Sequence, residues 1–410
     1  MRKLVMKMRP WPLFISAPLL GLSHSILLVF TPIFIEKTTL SLASLAILMS
    51  LGSALFLFSA PMWAKCSLRY GYPKVLLSGI LGFSTSFSLM LVALWGSVSL
   101  QWPMVWVISS LIISRVIYGM TASAIVPSCQ AWLSELNHAE HTMKKLAELS
   151  ATMAFGRLIA PLLAMALIWI GWQAPLLFLS LAPLICLGYI LKFSRSQEPL
   201  PAPAAHQIDK PISVQDKIDD KSVHSLLISI TLICISYSCV TFLLTPMAIQ
   251  WLNYSNQQAS QYLSLLMTLA AMTMLLCHGI TSKLKQVDQF KMMLLANMML
   301  LLSLILMQLP IPHILFICVP LLSGAFAILQ LQITSLLCNQ AGKGKKAIAT
   351  GLVSKYQTLG YGIGAGLLWL TNSDIDTNLQ LLTLLGLAQL ASLMFWKFNI
   401  GTKEAVKDAP

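Results

Sequence analysis

Residues 1–35 read MRKLVMKMRPWPLFISAPLLGLSHSILLVFTPIFI, a short basic segment followed by a long apolar run. A secretory signal peptide also begins in this way, but its apolar run is shorter and ends at a small-residue cleavage site. An apolar stretch of about 20 residues can cross the hydrocarbon core of a bilayer as a helix. The stretch therefore predicts a first transmembrane helix near residues 11–35 that is retained in the protein.

Stretches of the same kind recur along the whole chain. Of its 410 residues, 57% are hydrophobic and only 10% are charged, whereas soluble domains carry roughly 25% charged residues. The pattern predicts an all-α membrane protein in which residues 1–191 form a first six-helix half, residues 192–224 a polar, proline-rich cytoplasmic linker and residues 225–410 a second six-helix half. The twelve predicted spans lie near residues 11–35, 40–63, 75–95, 103–127, 147–170, 175–191, 225–249, 260–280, 292–309, 313–338, 347–370 and 379–396.

The distribution of basic residues predicts the orientation, because Lys and Arg accumulate in cytoplasmic loops. With the N-terminus inside, 23 of the 27 basic residues fall on the cytoplasmic side and only Lys37 falls outside. The remaining three, Arg115, Arg157 and Lys355, lie inside predicted helices. We therefore expect both termini in the cytoplasm of a bacterium and the chain in its inner membrane. This orientation also explains the net charge of +13, so no nucleic-acid partner is expected.

Two correspondences indicate a parallel repeat of the halves. Thr31-Pro32 near the end of the first helix corresponds to Thr245-Pro246 near the end of the seventh. Parallel repeats of this kind are a transporter architecture. The second correspondence, at a constant offset of 204 residues, pairs Ser150, Gly156 and Ala160 of helix 5 with Ser354, Gly360 and Gly364 of helix 11.

The loop between predicted helices 2 and 3 reads PMWAKCSLRYGYPKVLL, from residue 61 to residue 77. It resembles the loop signature of the major facilitator superfamily, with Arg69, Gly71 and Lys74 at matching positions. Ala64 stands where the family usually has Gly, and Leu68 where it usually has Asp. The resemblance implies a conformational latch, but one that lacks the usual acidic partner.

Helices 4 and 5 extend the resemblance to the drug/proton antiporter branch of that superfamily. Arg115 and Gly119 lie four residues apart, as in the motif that the family associates with proton coupling. FGRLIAPLLA resembles the antiporter signature, with Gly156 and Pro161 in the expected order and Ala160 in place of the usual Gly. The resemblance implies a twelve-helix transporter that exports its substrate, and exporters of carboxylate-bearing siderophores are one branch that a membrane interior with only positive charges would suit.

The charges predicted inside the membrane are all positive. Arg115 and Arg157 lie near the predicted midplane, whereas none of the 14 acidic residues falls clearly inside a span. Backbone carbonyls exposed near Pro127 or Pro161, or water in a cavity, are one way to stabilise these guanidinium groups. The alternative is an electropositive cavity in which the substrate supplies a carboxylate, which guanidinium binds through two hydrogen bonds.

His24 lies near the middle of the first predicted helix. A histidine has an unperturbed pKa of about 6.5, which suits a proton carrier, although a lone histidine in an apolar helix more often serves hydrogen-bonded packing. Glu36 and Arg115 are the other candidates for proton coupling. The predicted substrate-binding residues are Arg115, Arg157, Tyr237, Gln330, Gln332 and Tyr361.

The sequence therefore predicts a secondary active transporter that exports a small organic molecule by proton antiport, with a carboxylate-type siderophore or metabolite as the candidate substrate. An importer or facilitator of an anionic nutrient, or a broad multidrug exporter, would use the same fold. A membrane enzyme or a sensor would need a catalytic constellation or a sizeable soluble domain, and the sequence shows neither. The expected partners are the substrate, protons and the lipid bilayer. We expect a monomer without a metal or another cofactor, since the eight cysteines show no metal-binding spacing.

Overall fold

The computed structural model describes residues 11–136, 139–196, 221–283, 288–309, 311, 313–341 and 346–407. This part of the chain is almost entirely helical. Its helices are α1 (Trp11–Ser16), α2 (Leu19–Thr38), α3 (Leu42–Tyr70), α4 (Tyr72–Ser99), α5 (Met104–Thr121), a 3-10 helix (Ala122–Ala124), α6 (Ile125–Leu136), α7 (Ala139–Ile170), α8 (Ala174–Ser196), α9 (Lys221–Leu252), α10 (Asn256–Lys283), α11 (Gln289–Leu306), α12 (Leu315–Ala341), α13 (Lys346–Leu370) and α14 (Ile375–Lys407).

Eleven helical segments in the described ranges are long and apolar enough to cross a membrane. They coincide with eleven of the twelve predicted spans, which confirms the all-helical membrane fold. The one remaining predicted span, residues 347–370, corresponds to α13, which has 25 residues. It is the least apolar of the predicted spans because Lys355, Gln357 and several glycines lie along it.

Two predicted helices are interrupted. The first predicted helix breaks between α1 and α2 at Pro18, and the fourth passes from α5 through the 3-10 helix into α6. Pro127 has no backbone N–H, so the helix around it loses one internal hydrogen bond. Side chains of α3 bond to carbonyl groups at this break: the Ser59 hydroxyl donates to the Gly119 carbonyl at 2.7 Å, and the Trp63 indole donates to the Met120 carbonyl at 2.5 Å.

The chain divides into two compact units. Unit 1 comprises Met1–Thr39 and Ala54–Lys210, and unit 2 comprises Leu40–Ser53 and Pro211–Pro410, so the start of α3 clusters with unit 2. The domain boundary predicted at residues 192–224 stays a prediction, and most of it lies outside the described residues.

Packing within each unit follows one pattern. In unit 1, α2 packs on α7, while α4 packs on α5 and α8. In unit 2, α9 packs on α13, while α11 packs on α12 and α14. These neighbours correspond to one another under the predicted repeat, so the second half reproduces the helix pairs of the first.

Candidate functional site

A buried arginine lies on α5. Only 2% of the surface of Arg115 is exposed. Its Nη2 donates to the hydroxyls of Ser86 and Ser114 at 3.1 and 3.0 Å, and it contacts the Met90 sulfur at 3.5 Å. Each serine hydroxyl also donates to the backbone carbonyl of the other serine at 2.8 Å, which joins α4 to α5. Because a hydroxyl has one hydrogen and two lone pairs, this arrangement leaves the lone pairs of both oxygens for the guanidinium.

Aromatic rings cover the same guanidinium. Its central carbon lies 5.3 Å from the ring centroid of Phe87 and 5.1 Å from that of Tyr118. Phe83 packs against both rings, with centroid distances of 4.8 Å to Phe87 and 5.9 Å to Tyr118. A cation over an aromatic face is attracted by the negative potential of the ring. Hydroxyl oxygens and aromatic faces thus stabilise a charge that would be costly in an apolar helix bundle.

A second arginine lies on α7 and, unlike Arg115, is exposed. The side chain of Arg157 packs over Gly21 of α2, because a Cβ atom placed on that glycine would lie 2.8 Å from Arg157 Cγ and 3.1 Å from Nε. His24 follows Gly21 by three residues, so it lies on the same face of α2. It is also exposed and interacts electrostatically with Arg157. The structure therefore brings two predicted site residues together within unit 1.

Glu36 does not join this group. It lies twelve residues after His24 on α2, which corresponds to about 18 Å along a helix. Its carboxylate accepts a hydrogen bond from the Lys37 ammonium at 3.0 Å, and both side chains are partly exposed. Of the three candidates for proton coupling, His24 is the one beside Arg157.

The aromatic candidates of unit 2 meet around a ring that sequence reasoning missed. Tyr237 of α9 stacks on Phe326 of α12, with ring centroids 4.6 Å apart and an interplanar angle of 27°. The ring centroid of Tyr361 of α13 lies 6.3 Å from that of Phe326. Both tyrosines are half-buried, whereas Phe326 is buried. An aromatic residue on an apolar helix gives no sequence signal that separates it from ordinary core residues.

The two predicted glutamines of α12 have different surroundings. Gln330, one turn after Phe326, is half-buried. Gln332 is only 7% exposed, and its amide nitrogen lies 3.6 Å from the Met292 sulfur of α11. Residues two apart on a helix do not share a face, so Gln332 packs in the α11–α12 contact and Gln330 lies elsewhere on α12.

The residues of the loop motif lie between α3 and α4. Arg69 is exposed near the end of α3, and Lys74 is exposed in the first turn of α4. Gly71, which precedes α4, has a φ of 86°, a left-handed conformation that glycine adopts without a steric penalty. The side chains of Ala64 and Leu68, the two departures from the family pattern, lie outside the described part of the structure.

The remaining motif residues lie at close helix contacts. The Gly119 carbonyl accepts the Ser59 hydrogen bond described above. A Cβ atom on Gly156 of α7 would lie 2.8 Å from the Pro18 Cβ at the start of α2. Pro161 is buried inside α7. Their positions suit helix packing as well as a conformational role.

Comparisons with known proteins agree with this architecture. The family description "Major Facilitator Superfamily" matches residues 13–365. No curated protein matches the sequence significantly.

Solved structures share the fold at low sequence identity. A D-xylose-proton symporter is similar with a TM-score of 0.70 and 14% identity, over 95% of this chain and 97% of the symporter. A bacterial homologue of the human lysosomal transporter Spinster, inward-facing and occupied, is similar with a TM-score of 0.69 and 12% identity, over 96% of each chain. The human organic anion transporter MFSD10 (TETRAN) is similar with a TM-score of 0.65 and 17% identity, over 96% of this chain and 100% of that one.

Proposed function

Because the chain belongs to the Major Facilitator Superfamily, we propose that it is a secondary active transporter that exports a small organic anion in exchange for protons. The observation that carries this proposal is the exposed Arg157 guanidinium, which packs over Gly21 beside the exposed His24. A guanidinium matches a carboxylate with two parallel hydrogen bonds. The candidate substrates are carboxylate-bearing molecules, such as a hydroxycarboxylate siderophore or a related metabolite.

Arg115 strengthens the preference for an anion. Its charge lies on α5 behind aromatic rings, within the same unit as Arg157 and His24. Like charges raise one another's energy, and an anion near them lowers it. The name of one structural neighbour, an organic anion transporter, agrees with this chemistry.

The export direction rests on the antiporter-like motif of α7, which includes Gly156 and Pro161. His24 is the proposed proton carrier because an imidazole can take up and release a proton, and the Arg157 charge beside it, which opposes the protonated form, links that proton to the occupancy of the proposed anion contact. Glu36 is proposed as an outer proton acceptor that acts at a distance from it. An importer would use the same residues, so the solute that accumulates in cells lacking the protein decides the direction.

The remaining predicted residues are proposed to serve binding and conformational change. Tyr237, Tyr361, Gln330 and Gln332 are the proposed substrate contacts of unit 2. The conformational motif comprises Arg69, Gly71, Lys74, Gly119, Gly156 and Pro161.

The orientation is proposed from the basic residues alone: both termini and the linker lie in the cytoplasm of a bacterium. We also propose that the protein acts as a monomer. The variant Gln207→Cys tests the orientation, although residue 207 lies outside the described part of the structure. An impermeant thiol reagent should label this cysteine only after the membrane is opened. Labelling from the periplasmic side of intact spheroplasts would contradict the proposed topology.

Reconstitution into liposomes tests the transport function. With an imposed proton gradient, the wild-type protein should move a citrate-like hydroxycarboxylate siderophore and not an organic cation dye. Arg157→Ala should abolish this movement while the protein stays folded, because removal of the exposed charge leaves no buried partner unpaired. Proton-driven movement of the dye without movement of the anion would contradict the proposal. A destabilised Arg157→Ala variant that still transports would show that Arg157 is structural.

A further inference from the structure

A buried polar junction lies in unit 2, where α14 packs on both α9 and α11. Each of these helices contributes a buried polar side chain that was not among the predicted site residues: Gln389 of α14, Asn297 of α11 and Ser236 of α9. We propose that this junction binds water, which joins α14 to its two neighbours. The inference does not depend on the proposed substrate or on the direction of transport.

The first step is a set of buried polar atoms that have no hydrogen-bond partner within the described part of the chain. They are Nε2 and Oε1 of Gln389, Oδ1 of Asn297 and Oγ of Ser236. Gln389 and Asn297 have no exposed surface, and Ser236 has 1%. A buried polar group without a partner is costly. The set combines N–H donors with carbonyl and hydroxyl oxygens, and a buried water molecule typically makes about three hydrogen bonds to groups of these kinds.

The second step is the contact between α11 and α14, which places Asn297 next to Gln389. Asn297 Nδ2 lies 3.5 Å from the Gly386 carbonyl oxygen, and a Cβ atom on Gly386 would lie 2.8 Å from Leu301 Cδ2 of α11. In a helix, a side chain leans back over the turn that precedes it. Gln389 is three residues after Gly386, so the side chains of Gln389 and Asn297 lie beside the same carbonyl group.

The third step is the direction of Gln389, which points toward α9 as well. Ser229 of α9 donates a hydrogen bond to the Ser392 hydroxyl of α14 at 3.1 Å, so Ser392 faces α9, whereas Gly386 faces α11. Gln389 is three residues from each of them, and three residues turn a helix by about 300°, or about 60° short of a full turn. The side chain of Gln389 is therefore directed between the two neighbouring helices.

The fourth step is the position of Ser236 on α9. The Cys239 sulfur lies 3.6 Å from Asn378 Oδ1 of α14, so α9 contacts α14 at Ser229 and again at Cys239. Ser236 lies between these two residues and two helical turns after Ser229, which places it on the same face of α9. Gln389 likewise lies between the two α14 residues that make these contacts. Each helix thus carries unpartnered polar atoms between two direct side-chain contacts.

Solid-state NMR of the full-length protein in lipid bilayers tests for this water. With isotopically labelled glutamine and asparagine, magnetisation should pass from water protons to the side-chain amides of Gln389 and Asn297, which Gln389→Met and Asn297→Leu assign. Asn378 is the matched control, because it is buried on the same helix but its amide donates to Thr371 Oγ1 and the Asp374 carbonyl oxygen. It should receive no magnetisation. A Gln389 amide as inaccessible to water as the Asn378 amide would overturn the proposal.

Melting temperatures provide an independent test. Gln389→Met keeps the length of the side chain but cannot bind water, so it should leave Asn297 unpartnered and lower the melting temperature by a few degrees. Addition of Asn297→Leu removes both partners, so the double variant should lose less than the two single variants together. Gln308→Met, at an exposed glutamine whose amide donates to Thr383, is the control and should melt close to wild type. A dry, unpartnered Gln389 would instead make Gln389→Met melt higher than wild type, which would overturn the proposal.

Discussion

The α2–α7 contact of unit 1 and the α9–α13 contact of unit 2 lie at equivalent positions of the repeat, but different residues pack at the two contacts. Gly156 of α7 and Gly360 of α13 are 204 residues apart, and each lets its helix approach a neighbour. The next residue is Arg157 in the first contact and Tyr361 in the second. The first contact therefore carries a charged side chain where the second carries an aromatic one.

The atoms that oppose the glycines also differ. In unit 1, a Cβ atom on Gly156 would meet the Pro18 Cβ at 2.8 Å, and one on Gly21 would meet the side chain of Arg157. In unit 2, a Cβ atom on Gly360 would lie 2.6 Å from the Thr231 carbonyl oxygen, and one on Gly364 would lie 2.5 Å from the Ile235 carbonyl oxygen. The arginine side chain over Gly21 can rotate away, whereas the Pro18 ring opposite Gly156 and the backbone of a packed helix cannot. The first contact is therefore adaptable at Gly21, where the second contact has rigid backbone opposite its glycines.

The largest effect is expected from Gly364→Ala in unit 2. The new methyl group would be forced against the α9 backbone, and overpacking of this kind costs about 1–3 kcal/mol. The purified protein should melt several degrees lower in detergent. Gly351→Ala, on the same helix, is the matched control, because nothing lies within 4 Å of its added Cβ. Equal melting temperatures of the two variants would show that the α9–α13 contact is as adaptable as the α2–α7 contact.

Gly21→Ala should change function more than stability. The added methyl group would lie 2.8 Å from Arg157 Cγ, and the flexible arginine can move aside at little cost in stability. Displacement of a binding group by about 1 Å is enough to reduce activity strongly, so transport of the anion should fall about tenfold. Gly188→Ala, whose Cβ meets nothing within 4 Å, should transport normally. A Gly21→Ala protein that melts early and transports normally would place Gly21 in the packing of unit 1 alone.

Sequence reasoning located the spans but not their ends. The predicted fourth span stops at residue 127, whereas α6 continues to Leu136. Likewise, α7 begins at Ala139, before the predicted residue 147, and α9 at Lys221, before the predicted residue 225. Helices that extend beyond the bilayer carry polar residues, so the apolar signal ends before the helix does. The break at Pro18 was also missed, because a proline in an apolar stretch does not lower its hydrophobicity enough to divide it.

For the candidate site, the charged residues could be predicted from the sequence, but the residues that contact them could not. His24 and Arg157 stood out because ionisable residues are rare inside a membrane. Ser86 and Ser114, which bind Arg115, and Phe326, which stacks on Tyr237, are residue types common in such helices. Their partners depend on how each helix is rotated about its axis, and the sequence of a uniformly apolar helix leaves that rotation undetermined.

Ser238→Ala should weaken the second contact slightly. The Ser238 hydroxyl donates to the Tyr361 carbonyl oxygen at 3.0 Å and so joins α9 to α13. A hydrogen bond of this kind contributes about 0.5–1.5 kcal/mol, less than the expected cost of Gly364→Ala. The melting temperature should fall by a smaller amount, and anion binding should stay unchanged if the contact only packs. A loss of binding without a loss of stability would indicate that the Ser238 hydrogen bond also positions Tyr361, one of the proposed substrate contacts.

The smallest effect is expected at the turns that follow the two contacts. The turn after α13 contains Asp374, whose carboxylate accepts a hydrogen bond from the Thr377 backbone N–H at 2.9 Å at the start of α14. The turn after α7, Gly171 to Gln173, contains no carboxylate. Hydrogen bonds from the hydroxyl and the N–H of Thr377 hold the pKa of Asp374 below its ordinary value. The ionised form is therefore favoured more in the folded protein than in the unfolded chain.

A lowered pKa in the folded state fixes the sign of the pH dependence. The contribution of Asp374 is fully present above the ordinary aspartate pKa of about 3.9 and is lost as the pH falls through the lower pKa of the folded state. Asp374→Asn keeps a hydrogen-bond acceptor but does not titrate, so the difference in melting temperature between wild type and variant should shrink below about pH 4. Asp376→Asn, in the first turn of α14, removes the same charge and is the matched control. Parallel melting curves for wild type and Asp374→Asn from pH 7 to pH 3 would mean that the turn after α13 is no more sensitive to acid than the turn after α7.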